Sequence, residues 1–194
     1  MVAQCTSEEQ KGKNLPGAME CALAASVALA CWAGPAAAQH GQESNNMRLL
    51  GHHDLQARSA YWGVIQEQDN RWIAYVGHHN GEAFDPLSGA VEPNGNSILD
   101  VTNPRRPFLL EHLPGEGDPN DPDDGGSQMV QVCSGDELPN GEPGKFYLLR
   151  TNGDFGHQVY DVTDPANPVH IVDLTSGLDG THKNWWECDT GFAY

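Results

Sequence analysis

Four histidines in separate loops of this chain could bind a metal ion: His53, His79, His157 and His182. A neutral imidazole nitrogen is a ligand for copper, zinc, iron or nickel, and three or four converging imidazoles would make a credible metal site. The chemistry would be that of an oxidoreductase with a bound metal such as copper. Alternatively, the four side chains hydrogen-bond to loop backbones or face solvent, because the sequence contains no HxH or HExxH spacing.

Two of the histidine positions are adjacent pairs, His52-His53 and His78-His79. Neighbouring side chains on an extended strand point to opposite faces. We therefore expect at most one member of each pair to face a shared site.

Cys133 and Cys188 are the cysteines that remain once the N-terminal segment 1–38, interpreted below as a leader, is set aside. An even pair in an oxidising compartment predicts a disulfide bond. Two free, buried thiols are the alternative. A nucleophilic role is not indicated, because neither cysteine lies in a Cys-His catalytic motif.

The acidic loop 115–126 could offer oxygen ligands to calcium, because it contains one glutamate and four aspartates. It does not match an EF-hand loop, since Pro122 stands where a ligand is required and no glutamate closes the loop. A solvated loop between two structural units is the alternative.

Short strands and turns must position these residues. Apolar runs such as Trp72–Val76, Phe146–Leu149 and Val169–Val172 are separated by clusters of Gly, Pro, Asn and Asp. No stretch after the leader keeps a helical apolar period over three turns. The pattern predicts an all-β fold. We also expect the large aromatic side chains of Trp72, Trp185 and Trp186 to pack between the structural units.

One phrase occurs twice in the chain. Ser97–Pro107 reads SILDVTNPRRP and Gln158–Pro168 reads QVYDVTDPANP, with their first aspartates 61 positions apart. In each copy the second Asn or Asp, at 103 or 164, can accept a hydrogen bond from the backbone two residues later. The proline that follows it presets φ for a turn.

The strands that flank each phrase predict repeated units of four antiparallel strands. The units are expected at about 45–114 and 127–176, with an incomplete third unit at 181–194.

Four-stranded units of this length are typical of β-propeller blades. The ILDVTNPxxP and VYDVTDPxxP segments resemble the LVIVD repeat of exported bacterial and archaeal propeller proteins. The resemblance covers nearly all of residues 45–194 and implies a secreted or periplasmic propeller without an assigned activity. It implies no catalytic residues for this chain.

The number of units is small for a propeller. Residues 39–194, the predicted partial propeller, hold about two and a half units, whereas closed propellers have about four to eight blades. We expect the chain to be a piece of a longer polypeptide, with the remaining blades among its partners, because isolated blades would expose apolar faces and strand edges.

Residues 1–38 are interpreted as a secretory signal peptide that is removed. Lys11 and Lys13 precede the apolar run Ala22–Trp32, and Ala36–Ala38 resembles a cleavage site of small residues. The apolar run is too short to span a membrane. A buried Ala-rich helix is the alternative.

The balance of charges excludes two classes of partner. Without residues 1–38 the chain has 8 Lys and Arg and 24 Asp and Glu, a formal charge of −16. No basic patch remains to release counterions from phosphate groups, so nucleic acid and anionic lipid surfaces are not expected as partners.

The sequence therefore predicts an exported β-propeller-type scaffold that binds a protein or small-molecule ligand at a propeller face. The alternative is a periplasmic copper-type oxidoreductase with the four histidines at the channel mouth. Such an enzyme would be similar in general plan to methanethiol oxidase of the selenium-binding protein family.

Overall fold

The computed structural model describes residues 46–117 and 125–194, and Asn46–Tyr194 form one compact unit. The predicted signal peptide, residues 1–38, lies outside the described residues, as do residues 118–124 of the predicted acidic loop. In the described part of the chain, the one helical segment is a 3-10 turn at Leu55–Ala57.

Strands make up most of the regular structure, as the apolar runs predict. In chain order they are β1 Ala60–Gln68, β2 Arg71–His78, β3 Glu82–Asp85, β4 Ala90–Pro93, β5 Asn96–Asp100, β6 Phe108–Leu113, β7 Val130–Ser134, β8 Phe146–Asn152, β9 Gly156–Asp161 and β10 Val169–Thr175. The all-β class predicted from the sequence is confirmed.

The strands form two four-stranded antiparallel sheets and one small hairpin. The first sheet has the order β1-β2-β5-β6 and the second sheet has the order β10-β9-β8-β7. The predicted four-stranded antiparallel units are thus confirmed. β3 and β4 pair only with each other, in a hairpin inserted between β2 and β5.

The repeated phrase forms the turn between β5 and β6 in the first sheet and between β9 and β10 in the second. The Arg105 amide donates to Asn103 Oδ1 and the Ala166 amide donates to Asp164 Oδ1, each at 3.1 Å. The side-chain-to-backbone bond predicted at both turns is confirmed. Because the two turns are built alike, the two sheets can be compared residue by residue.

The phrase also ties its turn to the neighbouring strand. The Thr102 amide donates to Asp100 Oδ1 at 2.9 Å, and Thr102 Oγ1 accepts from the Trp72 amide at 2.9 Å. In the second sheet the Thr163 amide donates to Asp161 Oδ1 at 2.9 Å, and Thr163 Oγ1 accepts from the first amide of β8 at 3.1 Å. The aspartate and threonine that the two copies of the phrase share therefore hold a turn.

The hydrophobic core lies between the two four-stranded sheets. Gln68 spans it, since its Nε2 donates to the Val162 carbonyl of the second sheet at 3.1 Å while its Oε1 accepts from the Tyr75 hydroxyl at 2.7 Å. Burying an aliphatic side chain here stabilises the fold by roughly 2 kcal/mol. The core residues are Ile73, Tyr75 and Ile98 from the first sheet and Val130, Phe146, Leu148 and Val162 from the second-sheet side.

Candidate functional site

The four histidines predicted as metal ligands lie in different surroundings. His53 is half-buried, and its Nδ1 accepts a hydrogen bond from the Leu55 amide at 3.0 Å. His157 is bonded through its ring nitrogens to the Thr175 hydroxyl at 3.1 Å and to the Lys183 carbonyl at 3.4 Å. Two of the four therefore bond to backbone atoms.

His79 and His182 both meet the ring of Tyr61 edge-on. Their ring centroids are 4.7 and 5.9 Å from the centroid of Tyr61, and both histidines are exposed. Within residues 46–117 and 125–194, no group of three or more His, Cys, Asp or Glu side chains is placed to hold a metal ion. The described residues thus do not bring the four histidines together as one ligand set.

The buried histidine of the second pair is His78, which sequence reasoning did not single out. It is completely buried while His79 is exposed, in line with the expected opposite directions. His78 Nδ1 lies 2.8 Å from the Ser59 carbonyl, and its Nε2 lies 2.8 Å from Ser97 Oγ. A carbonyl oxygen only accepts hydrogen bonds, so Nδ1 carries the proton, and Nε2 accepts a hydrogen bond from the Ser97 hydroxyl.

This serine–histidine pair has the arrangement of an activated nucleophile but not its accessibility. Ser97 and His78 are both 0 % exposed, so no substrate reaches the hydroxyl. Burial lowers the pKa of His78 to about 4, and the neighbouring His112 and Arg58 act in the same direction. His78 is therefore a neutral link between β2 and β5.

Arg58 anchors the β3–β4 hairpin to the rest of the chain. Its guanidinium donates to Asn94 Oδ1 at 2.7 Å and to the carbonyls of Glu92 and Ala83, both at 3.1 Å. The side chain is 4 % exposed. Its hydrogen bonds are made to neutral groups of the hairpin, which gives Arg58 a structural role.

Arg150 plays a similar part between the two four-stranded sheets. It donates to Gln158 Oε1 at 2.8 and 3.0 Å, and across the sheets to the Pro114 carbonyl at 2.9 Å and to Asn96 Oδ1 at 3.4 Å. Burial lowers its pKa from the ordinary value, and the Tyr160 hydroxyl opposes this by accepting a hydrogen bond. All three guanidinium nitrogens donate to protein acceptors, and two of these acceptors lie in the first-sheet half of the chain. Arg150 therefore holds the sheets together.

The described ends of the acidic loop meet in an antiparallel bridge between Glu116 and Gly126. The aspartates that would supply most of the calcium ligands belong to residues 118–124, outside the described residues. Calcium binding at this loop stays a prediction.

Cys133 and Cys188 form a disulfide bond, with their Cα atoms 5.4 Å apart. Of the two alternatives drawn from the sequence, the disulfide is confirmed. The bond attaches β7 to residues 185–194, which fold back as a hairpin. In the 185–194 hairpin, the backbones of Trp185 and Tyr194 exchange hydrogen bonds of 3.1 and 2.9 Å.

The second sheet has one buried face and one exposed face. In the first sheet, Leu110 and Leu113 of β6 pack against the hydrophobic core. Their counterparts in β10, counted from the repeated phrase, are Ile171 and Leu174, which are 50 % and 49 % exposed. The correspondence includes the bulge, which falls at Leu110 in one sheet and at Ile171 in the other.

We call this exposed surface of the second sheet the open face. Its residues are apolar or aromatic and come from β8, β9 and β10. Those from β10 are exposed, whereas the β8 residue is half-buried and the β9 residue is 8 % exposed. All but Val172 correspond in position to first-sheet residues that form the hydrophobic core or pack against it. The open face consists of Tyr147, Val159, Ile171, Val172 and Leu174.

A groove of about 530 Å³ separates the open face from the 185–194 hairpin, where Trp186 and Ala193 line it. A second groove of about 360 Å³ shares Leu174 and Ala193 with the first. The two grooves therefore adjoin at these two residues.

Two of the three tryptophans expected to pack between the structural units are instead exposed. Trp72 is 47 % exposed and Trp185 is 51 % exposed, so the prediction that they pack between the units is wrong for both. Ile73, next to Trp72, points into the core, and Trp186, next to Trp185, points into the groove. Because side chains alternate along a strand, Trp72 and Trp185 point the other way.

The part of the chain that carries the open face is acidic. Residues 125–194 contain ten Asp and Glu against three Lys and Arg. Of these three bases, Arg150 is buried and Lys145 pairs with Asp161 and Glu142, at 3.1 and 3.3 Å.

In the part of the chain that the structure describes, no helix is long and apolar enough to cross a membrane. A scan against protein-family models found no match for the chain, and a search of curated proteins found none either.

Proposed function

We propose that the protein is an exported scaffold of stacked four-stranded sheets, of the β-propeller type, that binds another polypeptide through the open face. One observation carries the proposal. Ile171 and Leu174 are half-exposed at positions where their first-sheet counterparts, Leu110 and Leu113, are packed into a sheet-to-sheet core. The open face thus has the chemistry of a sheet interface without a sheet on it.

The size and continuity of the apolar surface support a binding role. Scattered apolar side chains on a surface need no explanation, whereas a contiguous apolar patch rimmed by polar residues marks an interaction site. The open face forms one wall of a groove of about 530 Å³, whose lining also includes the polar residues Asn140 and Thr190. The described residues that line the groove include no His, Cys, Ser, Asp or Glu; the serine–histidine pair of the first sheet is buried elsewhere.

The propeller-type arrangement is supported by the way the units follow each other. β1 and β7, the first strands of the two sheets, are neighbours. The 185–194 hairpin lies beside β7 in turn, attached by the disulfide bond. The repeated phrase, which resembles the LVIVD repeat, adds to this support.

Export of the protein is supported by two independent features. Residues 1–38 have the order of charges, apolar residues and small residues that is typical of a secretory leader. The Cys133–Cys188 disulfide belongs to an oxidising compartment, such as the periplasm or the cell exterior.

The proposal is tested by Leu174→Asp and its matched control Val169→Asp. Both residues lie in β10 and are exposed, but only Leu174 lines the grooves. An apolar fluorescent dye should bind the unmodified protein, and Leu174→Asp should lower its emission by at least about half, while Val169→Asp leaves it unchanged. Thermal melting monitors the fold of all three proteins.

Absence of dye binding to the unmodified protein would show that the open face is covered in solution and would contradict the proposal. Equal losses in the two variants would place the dye elsewhere and have the same consequence.

A further inference from the structure

We infer that the β3–β4 hairpin is an acid-sensitive flap, which mild acid releases from the first sheet while both four-stranded sheets stay folded. The group that takes up the proton is His112 of β6. This inference concerns the first sheet and goes beyond the proposed function, which rests on the second sheet.

The hairpin meets the rest of the protein with its polar side. Within the described residues, β3 and β4 pair only with each other. Asp85 and the adjoining Asn94 are buried, whereas three apolar side chains are more than half exposed: Phe84, Leu87 and Val91. Because the apolar residues face solvent, the attachment of the hairpin depends on hydrogen bonds and charge more than on apolar burial.

Two buried side chains hold the end of β4. His112 Nε2 lies 3.0 Å from the carbonyl oxygen of Pro93, the last residue of β4. Arg58 donates to the carbonyl of the preceding residue, Glu92, at 3.1 Å. His112 is 2 % exposed and Arg58 is 4 % exposed. The hairpin is thus bonded to a residue type that titrates in mild acid, since an unperturbed histidine has a pKa of about 6.5.

The surroundings of the His112 ring disfavour a second proton. A carbonyl oxygen only accepts hydrogen bonds, so Nε2 carries the proton of the neutral ring and Nδ1 is the nitrogen that acid protonates. Nδ1 is buried and has no hydrogen-bond partner among the described residues. Protonation beneath the attached hairpin would therefore create a buried donor without an acceptor, whereas water accepts that bond once the hairpin is released.

The contact between the hairpin and the protein contains further unpaired atoms. Buried atoms without a hydrogen-bond partner in the described part of the chain include Gln56 Oε1, Arg58 Nε and Glu92 Oε2. Gln56 belongs to the 3-10 turn, which contacts β3. Each such atom destabilises the attached position, so we expect the hairpin to open more readily than the strands of the sheets.

Charged groups approach His112 from every element packed against it. Arg58 repels a positive charge on His112, and so does a protonated His78 of β2, whose ring centroid is 6.1 Å away. Asp85 and Glu92 of the hairpin attract one. Burial is the largest influence and lowers the pKa of His112. His112 therefore binds a proton more readily after release, and mild acid shifts the hairpin towards the released position.

Glu111 sets the acid limit of this response. It precedes His112 in β6, and burial together with Asp85 and Glu92 raises its pKa. The attached position thus favours a proton on Glu111, which opposes release at the acid end. We expect release between pH 7 and 5.5, above the ordinary pKa of a glutamate of about 4.3.

Thiol labelling of the whole chain tests the inference. Ala83→Cys places a thiol on the half-buried side of β3 that also carries Asp85. Phe84→Cys places one on the exposed side and corrects for the pH dependence of the thiol itself. Mass spectrometry of the peptide that contains position 83 or 84 separates this labelling from that of other cysteines.

The expected change follows from the titration of one histidine. A histidine that stays neutral beneath the attached hairpin and titrates at about 6.5 after release shifts the ratio of released to attached hairpin by up to about eightfold between pH 7 and 5.5. The labelling rate of Ala83→Cys relative to Phe84→Cys should therefore rise by about three- to eightfold over this range.

Two histidine variants, each combined with Ala83→Cys, assign the titration. His112→Gln should remove the rise, because glutamine keeps an N–H for the Pro93 carbonyl but does not titrate. His170→Gln, at an exposed position of β10, should keep the rise. A His112→Gln variant whose labelling rises as steeply as that of its parent would overturn the inference.

A core reporter separates release of the hairpin from unfolding. Val162 is 0 % exposed, so Val162→Cys should stay unlabelled at pH 5.5. Labelling of Val162→Cys in parallel with Ala83→Cys would show that the whole fold opens, and an unchanged rate of Ala83→Cys relative to Phe84→Cys would show that the hairpin does not; either result overturns the flap. This comparison leaves His112 in place, so it decides the inference even where His112→Gln does not fold.

Discussion

Mild acid should destabilise this protein through His78. The pKa of this buried imidazole is about 4 in the folded protein, compared with about 6.5 in an unfolded chain. Between these two values the unfolded chain binds a proton that the folded protein does not. The stabilisation is therefore fully present above about pH 6.5 and is lost as the pH falls towards 4.

The size of the effect follows from the difference in pKa. Each pH unit within this window costs up to about 1.4 kcal/mol, and the whole window about 3 kcal/mol, a large part of the stability of a small domain. Burial also lowers the pKa of His112, which therefore acts in the same direction. Burial raises the pKa of Glu111, which opposes the loss at the acid end of the window.

Urea unfolding at pH values from 7 to 4.5, followed by tryptophan fluorescence, measures the effect. His78→Gln should lower the stability at pH 7, because the bonds to Ser59 and Ser97 are disturbed. The same variant should also make the free energy of unfolding depend less steeply on pH. His52→Gln, at an exposed position, should keep the pH dependence of the unmodified protein.

Two results would refute this reasoning. One is a stability of the unmodified protein that stays constant from pH 7 to 5. The other is a pH dependence of His78→Gln as steep as that of the unmodified protein, which would assign the titration to other groups.

Two further predictions concern the fold. The Cys133–Cys188 bond closes a separation of 55 residues, which stabilises the fold by about 4 kcal/mol in the chain-entropy description. Reductant should therefore lower the urea midpoint of the unmodified protein but not that of a Cys133→Ser/Cys188→Ser variant. An unchanged midpoint of the unmodified protein would contradict this. Gly77→Ala should cost about 1–3 kcal/mol, because its new Cβ would collide with the Gln128 backbone. The control is Gly63→Ala, whose Cβ meets only ordinary contacts at 3.7 Å or more. Equal urea midpoints for the two glycine variants would contradict the close packing of Gly77 against the Gln128 backbone.

The sequence predicted the strands of both four-stranded sheets and the turns that connect β5 to β6 and β9 to β10. These features depend on local chemistry, such as the Asn103 and Asp164 side chains that accept backbone hydrogen bonds in the turns. The β3–β4 hairpin was missed because residues 82–93 contain no apolar run, and its position depends on Arg58, 34 residues away from one of its partners.

The adjacent histidines show the limit of reasoning from pattern. Alternation predicted that His78 and His79 face opposite ways, but only the pairing of β2 with β5, which brings Ser97 to His78, decides which of them is buried. Cys133 and Cys188 presented the same difficulty, because their distance depends on how the units stack.

The open face could not be found from the sequence for a related reason. Ile171 and Leu174 follow the repeated phrase as Leu110 and Leu113 do, and the two pairs look equivalent in the chain. Burial depends on whether another sheet lies against the strand, which is a property of the assembled structure. That one pair is exposed while the other packs against the core became visible only in three dimensions.

Amide hydrogen exchange of the unmodified protein with and without the apolar dye tests the binding role of the open face most directly. The account predicts that saturating dye slows amide exchange in β9 and β10 by at least about twofold, because a ligand on the open face opposes the opening of these strands, while exchange in residues 46–117 is unchanged. Amides of β9 and β10 that exchange equally fast with and without dye would contradict it.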